Sequence, residues 1–246
     1  MQITQTTYSA ISHLRNDFLD EVNIQFVLDK CYRYGWADAY GFYINQELVG
    51  YGSVWGKDKR EDRDTVFEFY VVPQHRDLEE QFFINFCHTS NVPYIECQTN
   101  DKLLYPLFKK YTSNISTDAI LFADHHSTHF QIPNVRLEKR EQPNSDDNHY
   151  VLINNAEEVG EGGFMINYNF PYADIYYSIH EQHRRKGFGT FFVQELKAEV
   201  YKQNRIASAR CNPSNIASKA TMLKAGMIVC GKRLSGEINL DERANT

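Results

Sequence analysis

The sequence predicts an α/β fold (α+β in detail) built from two lobes of similar plan. Three observations carry that expectation. Strand-like and helix-like stretches alternate along all 246 residues. Several of them recur in the same order after about 109 residues. In the second half, the strand-like run Asp174–Ile179 leads through Arg184-Arg185-Lys186-Gly187-Phe188-Gly189 into a helix-like run from Thr190 to Gln203.

The elements follow in order. Residues 9–33 read as one helix, because Ile11, Leu14, Phe18, Val22 and Phe26 fall on one stripe. Strands are expected at 39–46, 48–55 and 65–73, a helix at 77–89, a strand at 93–97, a helix at 101–111 and a strand at 118–124. In the second half, 129–140, 149–154, 160–168 and 173–180 are strand candidates. Helix 187–203, strand 206–211, helix 215–225 and a closing hairpin to about residue 238 come next. The polar stretch Glu141–Asn148 reads as a loop between strands of the second half, and Asp241–Thr246 as a frayed end. The expected lobes are 1–128 and 129–246.

The recurrence is specific. Ile44-Asn45-Gln46-Glu47-Leu48-Val49-Gly50 resembles Ile153-Asn154-Asn155-Ala156-Glu157-Glu158-Val159-Gly160, a strand, a polar turn and a strand. Phe69 to Arg76 resembles Tyr177 to Arg184, Phe82-Phe83 matches Phe191-Phe192, and Cys97 to Asn100 lies near the counterpart of Cys211 to Asn215. The halves part at one place. After Arg76 come Asp77, Leu78, Glu79, Glu80 and Gln81, with Glu and Gln where the second half has Gly187 and Gly189.

That place is chemically telling. Glycine takes backbone angles that other residues avoid and lets a ligand come close to the main chain. The first amides of a helix have no intrahelical acceptor, and the helix dipole adds positive character there. With Arg184, Arg185 and Lys186 beside it, the start of helix 187–203 is suited to a pyrophosphate; the alternative is a solvated basic turn. Carboxylates at the matching place of the first half would repel such a ligand.

Composition narrows the classes. Net charge is −6, which argues against nonspecific nucleic-acid binding. Five cysteines without CxxC spacing read as reduced thiols of a cytoplasmic protein. The N-terminal residues lack the basic flank and apolar core of a signal peptide, and no apolar run reaches the roughly 18 residues of a membrane span.

On these residues the second half resembles the GNAT superfamily of N-acetyltransferases. The family's Gln/Arg-x-x-Gly-x-Gly/Ala motif reads Arg184-x-x-Gly187-x-Gly189. Its weaker downstream signature reads Asn215, Ser218, Gly226 and Met227. The resemblance covers about 135–240 and extends weakly, through the recurrence, over the first half as a degenerate GNAT-like lobe. It implies two lobes, each a mostly antiparallel mixed sheet flanked by helices. It also implies acetyl-CoA in a V-shaped gap between the fourth and fifth strands. The pantetheine and thioester carbonyl would meet backbone near Ile179, and the pyrophosphate the amides of Arg185, Lys186, Gly187, Phe188, Gly189 and Thr190, with Arg184 beside them. Asn215, with Ser218 three residues on, would face the pantetheine. The implied reaction is direct attack by a primary amine, of a small molecule or a peptide, in a ternary complex.

One departure matters. Many members have a tyrosine seven residues after the Asn, where it protonates the departing thiolate, and here that residue is Met222. Cys211, Tyr176 or Tyr177 could act instead. Alternatively, the protein is a non-catalytic CoA-binding regulator or scaffold. The second half also lacks the helices that usually cover the acceptor site. Asp174, Glu161 and His180 are candidate bases for the incoming ammonium; the plainer readings are surface carboxylates and a loop histidine. Cys211 reads better as a buried thiol than as a nucleophile. His125, His126 and His129 lack the glutamate of H-E-x-x-H, so no metal is expected. Phe164, Tyr168, Phe170, Tyr172, Tyr176 and Tyr177 are core or acceptor-pocket aromatics. A nicotinamide oxidoreductase is disfavoured because Phe192 stands where the third glycine would. The protein is expected to be a monomer or homodimer, without nucleic-acid or membrane partners.

Overall fold

The computed structural model describes residues 1–27, 29–59, 61–140 and 148–240. The chain divides into two compact units. Unit 1 comprises Met1–Ile24, Asp29–Asp118 and the stretch from Lys232, and unit 2 comprises Gln25–Leu28 and Ala119–Gly231.

Unit 1 holds β1 (Gln2–Thr6), α1 (Tyr8–Val22), α2 (Asp29–Arg33), β2 (Ala37–Ile44), β3 (Glu47–Trp55), β4 (Thr65–Val71), a 3-10 turn (Pro73–Leu78), α3 (Glu79–Ser90), β5 (Tyr94–Gln98) and α4 (Leu104–Tyr111). Its strands run in the order β1-β2-β3-β4-β5, and only β4 and β5 pair in parallel. β6 (Thr112–Asp124) and β12 (Met227–Ile238) each pass from one unit into the other. Unit 2 continues with β7 (Val135–Arg140), β8 (Asn148–Asn154), β9 (Glu157–Met165), β10 (Tyr172–Ile179), a 3-10 turn (Glu181–His183), α5 (Phe188–Lys202), β11 (Ile206–Cys211) and α6 (Ile216–Lys224). Its strands run β6-β11-β10-β9-β8-β7, with β10 and β11 as the parallel pair. Each unit buries its own core. Phe42, Phe69, Phe82, Phe83, Phe86 and Phe108 centre the first, and Phe122, Phe164, Phe192, Leu196, Ala207 and Ala209 the second.

The recurrence shows in local geometry. Asn45 and Gln46 turn the β2–β3 hairpin with φ of 48° and 71°, and Asn155 and Ala156 turn β8–β9 with 47° and 71°. Two consecutive left-handed residues match the natural twist of a two-residue hairpin, and Asn tolerates the conformation. A register shift follows Phe42 in one hairpin and Leu152 in the other. Arg76 Nε donates to the carbonyl of Val71 (3.2 Å), and Arg184 Nε to that of Ile179 (3.0 Å).

Several expectations need correction. Residues 9–33 are not one helix: Asn23 adopts a left-handed conformation (φ 45°) and donates its N–H to the Leu19 carbonyl, which closes α1. Phe26 is buried, but beyond the helix. The strand foreseen from 129 starts only at Val135, since Pro133 lacks a ladder donor and Asn134 is left-handed (φ 60°). The closing hairpin is a single strand, β12, whose residues from Arg233 to Glu237 pair with β5. β1 was not foreseen. The expected loop falls on 141–147, outside the described residues, except for Asn148, which opens β8; the expected frayed end, 241–246, also lies outside them.

Candidate functional site

The site starts from a ladder that stops. β10 and β11 pair only from Tyr172–Ile206 to Ile175–Ala209. Beyond that point β10 keeps β9, through Ile179–Gly160, and β11 keeps β6, through Cys211–Ile120, so the two strands part. His180 donates its N–H to the Val159 carbonyl (3.0 Å). Alternate residues of an antiparallel ladder face opposite neighbours, so the backbone groups of Tyr177 and Ile179 turn towards the opening. The Ile179 carbonyl is taken by Arg184, which leaves its N–H. The resulting cleft, of about 730 Å³, is lined by Tyr177, Ser178 and Ile179 on one side and Asn215, Ser218 and Thr221 on the other.

His183, Arg184, Arg185 and Gly189 line the cleft's end. Gly187, at φ 87°, is the N-cap of α5, and no side chain caps the helix. The first bond of the helix is Phe191 N–H to the Gly187 carbonyl (3.1 Å), so the amides of Phe188, Gly189 and Thr190 have no intrahelical acceptor. No acidic residue occupies the first turn. Arg185 is also left-handed, at φ 63°, a strain of about 1–2 kcal/mol for a side-chain-bearing residue and one of the kind that gathers at ligand sites.

The two glycines do different things. Gly187 is needed for its backbone angle, since a β-carbon there would meet only Ile132, at an ordinary 3.7 Å. At Gly189 the angle is not the issue but the fit is close, with Thr221 and Tyr177 side-chain atoms 3.3 and 3.4 Å from where a β-carbon would stand. Across the cleft Asn215 Oδ1 caps α6 by accepting the Ser218 N–H (3.0 Å), so only its NH2 group is left for a ligand.

Residues 115–228 match the family model described as the acetyltransferase (GNAT) domain. That stretch, a little under half of the chain, is similar to GNAT acetyltransferase domains. Solved structures agree with it at the level of the fold. A GNAT-family acetyltransferase from Colwellia psychrerythraea superposes with a TM-score of 0.76 at 14% identity, over 97% of this chain and 100% of that one. A tandem GNAT protein of the clavulanic acid biosynthesis pathway gives 0.57 at 11% identity, over 82% of each chain. A GCN5-related N-acetyltransferase from Sphaerobacter thermophilus gives 0.55 at 11%, over 82% and 81%. No curated protein matches the sequence.

Within unit 2 the remaining candidates separate. Met222 is buried (1% exposed) in the core of unit 2 and does not line the cleft. Of the groups that could replace the missing tyrosine, Tyr177 lines the cleft, and its hydroxyl donates to Ser218 Oγ at 3.5 Å. Tyr176 sits 3.3 Å, hydroxyl to Nδ1, from His149. Burial pushes the Cys211 thiol up, opposite to what a nucleophile needs, although Ser218 and Lys219 partly offset it.

The candidate bases lie in three settings. Asp174 is buried and ion-paired with Arg210 Nη2 at 3.2 Å, so its carboxylate is engaged by a guanidinium. Glu161 is half exposed, with Oε2 3.5 Å from Nε2 of the buried His149. Together with Tyr176 it forms a row across β9, β8 and β10 that the sequence reading missed, because His149 stands in no motif. His180 Nδ1 lies 3.1 Å from the Glu158 carbonyl oxygen, at the loop and not across the cleft.

The three histidines are exposed, and two of them are held through their backbone. The amides of His125 and His126 donate to the Gly226 carbonyl (3.2 and 3.0 Å), and a β-carbon on Gly226 would stand 2.1 Å from the His126 carbonyl oxygen. The buried Lys197 donates to that oxygen and to the Ala225 carbonyl, and pairs with Asp124 (2.7, 2.9 and 2.8 Å). His129 lines a separate small cavity with Gln194 and Tyr201. Among the described residues no cluster of His, Cys, Asp or Glu is arranged to hold a metal. Among the described residues no helix is long and apolar enough to cross a membrane.

Proposed function

We propose that the chain is an acetyl-CoA-dependent N-acetyltransferase that acylates a primary amine, of a small molecule or a peptide, by direct attack in a ternary complex. The observation that carries this reading is the cleft itself. Arg184, Arg185 and Gly189 of the uncapped helix start line one end, with Glu181 beside them, and the strand backbone of Tyr177 to Ile179 lines the other. This donor set fits a pyrophosphate joined to an amide-bearing arm. The cofactor-binding residues are Ile179, Arg184, Arg185, Lys186, Gly187, Phe188, Gly189, Thr190, Asn215 and Ser218. Acetyl-CoA, when bound, supplies an acyl group activated as a thioester.

The chain's own residues would then act as follows. The amides of Phe188, Gly189 and Thr190 hold the phosphates. The Ile179 N–H and the backbone of Tyr177 orient the arm and polarise a carbonyl placed against them. Glu161, supported by His149, takes the proton of the incoming ammonium; Asp174, whose carboxylate is paired with Arg210, is the second choice, and His180 stands at the loop. The Tyr177 hydroxyl is the group in the cleft able to return a proton to a leaving thiolate. The lobe 1–128 is read as a degenerate copy without cofactor motif, and the lobe 129–246 as the one that binds acetyl-CoA. The protein is read as cytoplasmic, a monomer or homodimer, with no nucleic-acid partner.

The test is thiol release from acetyl-CoA against a panel of small amines and peptides, run beside calorimetric binding. Binding with transfer supports the enzyme. Binding without transfer to any amine favours a CoA-binding regulator or scaffold, a reading that the burial of Met222 keeps in view. No binding defeats both.

A further inference from the structure

The turn that presents the α5 amides is held at two points by the β8–β9 hairpin. His183 is 8% exposed, and its Nε2 lies 3.0 Å from Glu157 Oε1. Its ring meets that of Phe188, the first residue of α5, edge-on at 6.2 Å. His180, one strand-end earlier, has Nδ1 3.1 Å from the Glu158 carbonyl oxygen. Arg140 of β7 pairs with the Glu158 carboxylate at 2.7 Å. Glu157 and Glu158 are the first two residues of β9, directly after the Asn155–Ala156 turn.

Unit 1 anchors its turn otherwise. Arg76 pairs with Glu21 of α1 and lies over the Tyr70 ring. Residues 7–36 supply α1 and α2 between β1 and β2, whereas only 141–147 separate β7 from β8. The hairpin carboxylates of unit 2 thus do what a helix carboxylate does in unit 1.

A carboxylate beside an anion site is electrostatically adverse, so Glu157 needs another reason to stand there. We propose that Glu157 is a positioning residue for acetyl-CoA: through His183 it fixes the 181–187 turn, and with it the direction of the α5 amides, for the pyrophosphate. This inference rests on the acetyl-CoA reading above. It gives an effect of unexpected sign. Charge alone says that removing Glu157 should tighten the binding of an anion, and positioning says that it should weaken it.

The experiment is calorimetry with acetyl-CoA and with 3′-phosphoadenosine 5′-diphosphate, which keeps the pyrophosphate and lacks the pantetheine arm. The proteins are wild type, Glu157→Ala, Glu157→Gln, His183→Ala and the Glu157→Ala/His183→Ala double variant, each checked by thermal melting. Glu157→Ala and His183→Ala should each weaken both ligands equally, by about three- to fivefold, the scale of a half-exposed pair. The double variant should be no weaker than either single one. Glu157→Gln should retain binding, since its amide oxygen still accepts the imidazole N–H. Tighter or unchanged binding in Glu157→Ala, additive losses, or a loss seen with acetyl-CoA alone would overturn the proposal. Wild type binding neither ligand would remove the acetyl-CoA reading itself. Binding by wild type with indifferent variants removes only the positioning role.

Discussion

Unit 1 and unit 2 both leave a parallel strand through a 3-10 turn, pin an arginine on the strand's last carbonyl and enter a helix. In unit 1 the 3-10 turn runs directly into α3 without a left-handed residue, and Glu79 and Glu80 fill the helix's first turn. Glu80 is held low by Lys110 and Tyr111, while burial pushes Glu79 up. In unit 2 Arg185 and Gly187 are left-handed, and the helix start is free of acid. The next turn differs in the same sense: Asp101 caps α4 through the N–H groups of Leu103 and Leu104 (2.9 and 3.0 Å), where Asn215 caps α6. Leu104, Leu107 and Phe108 are buried in the core of unit 1. A helix start free of acid beside an open cleft is therefore not a property of the strand–turn–helix plan but of a few residues at the two helix starts.

The largest expected effect concerns the filling of unit 1. Arg15 is buried and donates to both oxygens of the buried Glu68, which also accepts from Tyr32 (2.9 Å) and Tyr51 (3.1 Å). Glu68→Ala leaves a buried guanidinium without its main partner and should cost about 3–5 kcal/mol, near 10 °C in melting temperature. Acetyl-CoA affinity should not change. A variant melting like wild type would show that the cluster does not hold the unit.

Next comes the cofactor turn. Gly187→Glu with Gly189→Gln copies unit 1 into unit 2, placing a side chain at φ 87° and a carboxylate at the anion site. Calorimetry should show acetyl-CoA binding weakened about a hundredfold, the sum of a left-handed strain and a like-charge contact. Retained affinity would separate the two glycines from the ligand.

A smaller effect links pH to the caps. Burial raises the Asp101 carboxyl to about 6, against about 3.9 in an unfolded chain. The folded state holds the extra proton between those values, so this group's stabilisation is full below about pH 4 and is lost as pH rises through 6. The amount is about 2–3 kcal/mol. Asp101→Asn keeps the acceptor oxygen, makes the cap like that of unit 2 and should flatten this part of the profile in denaturant melts at pH 4 to 7. An unchanged slope would assign it elsewhere.

Smallest is Met222→Tyr, which restores the residue of many GNAT members. Position 222 is packed in the core, so a larger, hydroxyl-bearing ring should cost about 1–2 kcal/mol. A stabilised variant would mean that the site has room the packing does not suggest.

Much of this was legible in the sequence where a local signal sufficed. The β2–β3 and β8–β9 hairpins, the glycine turn and α5 carry period-2 or 3.6 patterns and turn residues. What failed depends on tertiary partners. Gln2-Ile3-Thr4-Gln5-Thr6 is a strand because β2 pairs with it, and its mixed polarity carries little pattern. The end of the chain reads as a hairpin, yet β12 runs unbroken from Met227 to Ile238 and pairs with β5. Asn23 ends α1 although the apolar stripe runs on to Phe26. His149, Tyr176 and Glu161 meet across three strands, and His183 with Glu157 across a hairpin and a loop. No sequence spacing marks either group.

The account's central claim, one competent cleft and one closed, is tested most directly by the stoichiometry of acetyl-CoA binding to the intact chain. Calorimetry should give one molecule per chain. Two per chain would mean that unit 1 is open despite its carboxylates and apolar filling, and none would mean that the unit 2 cleft holds something else.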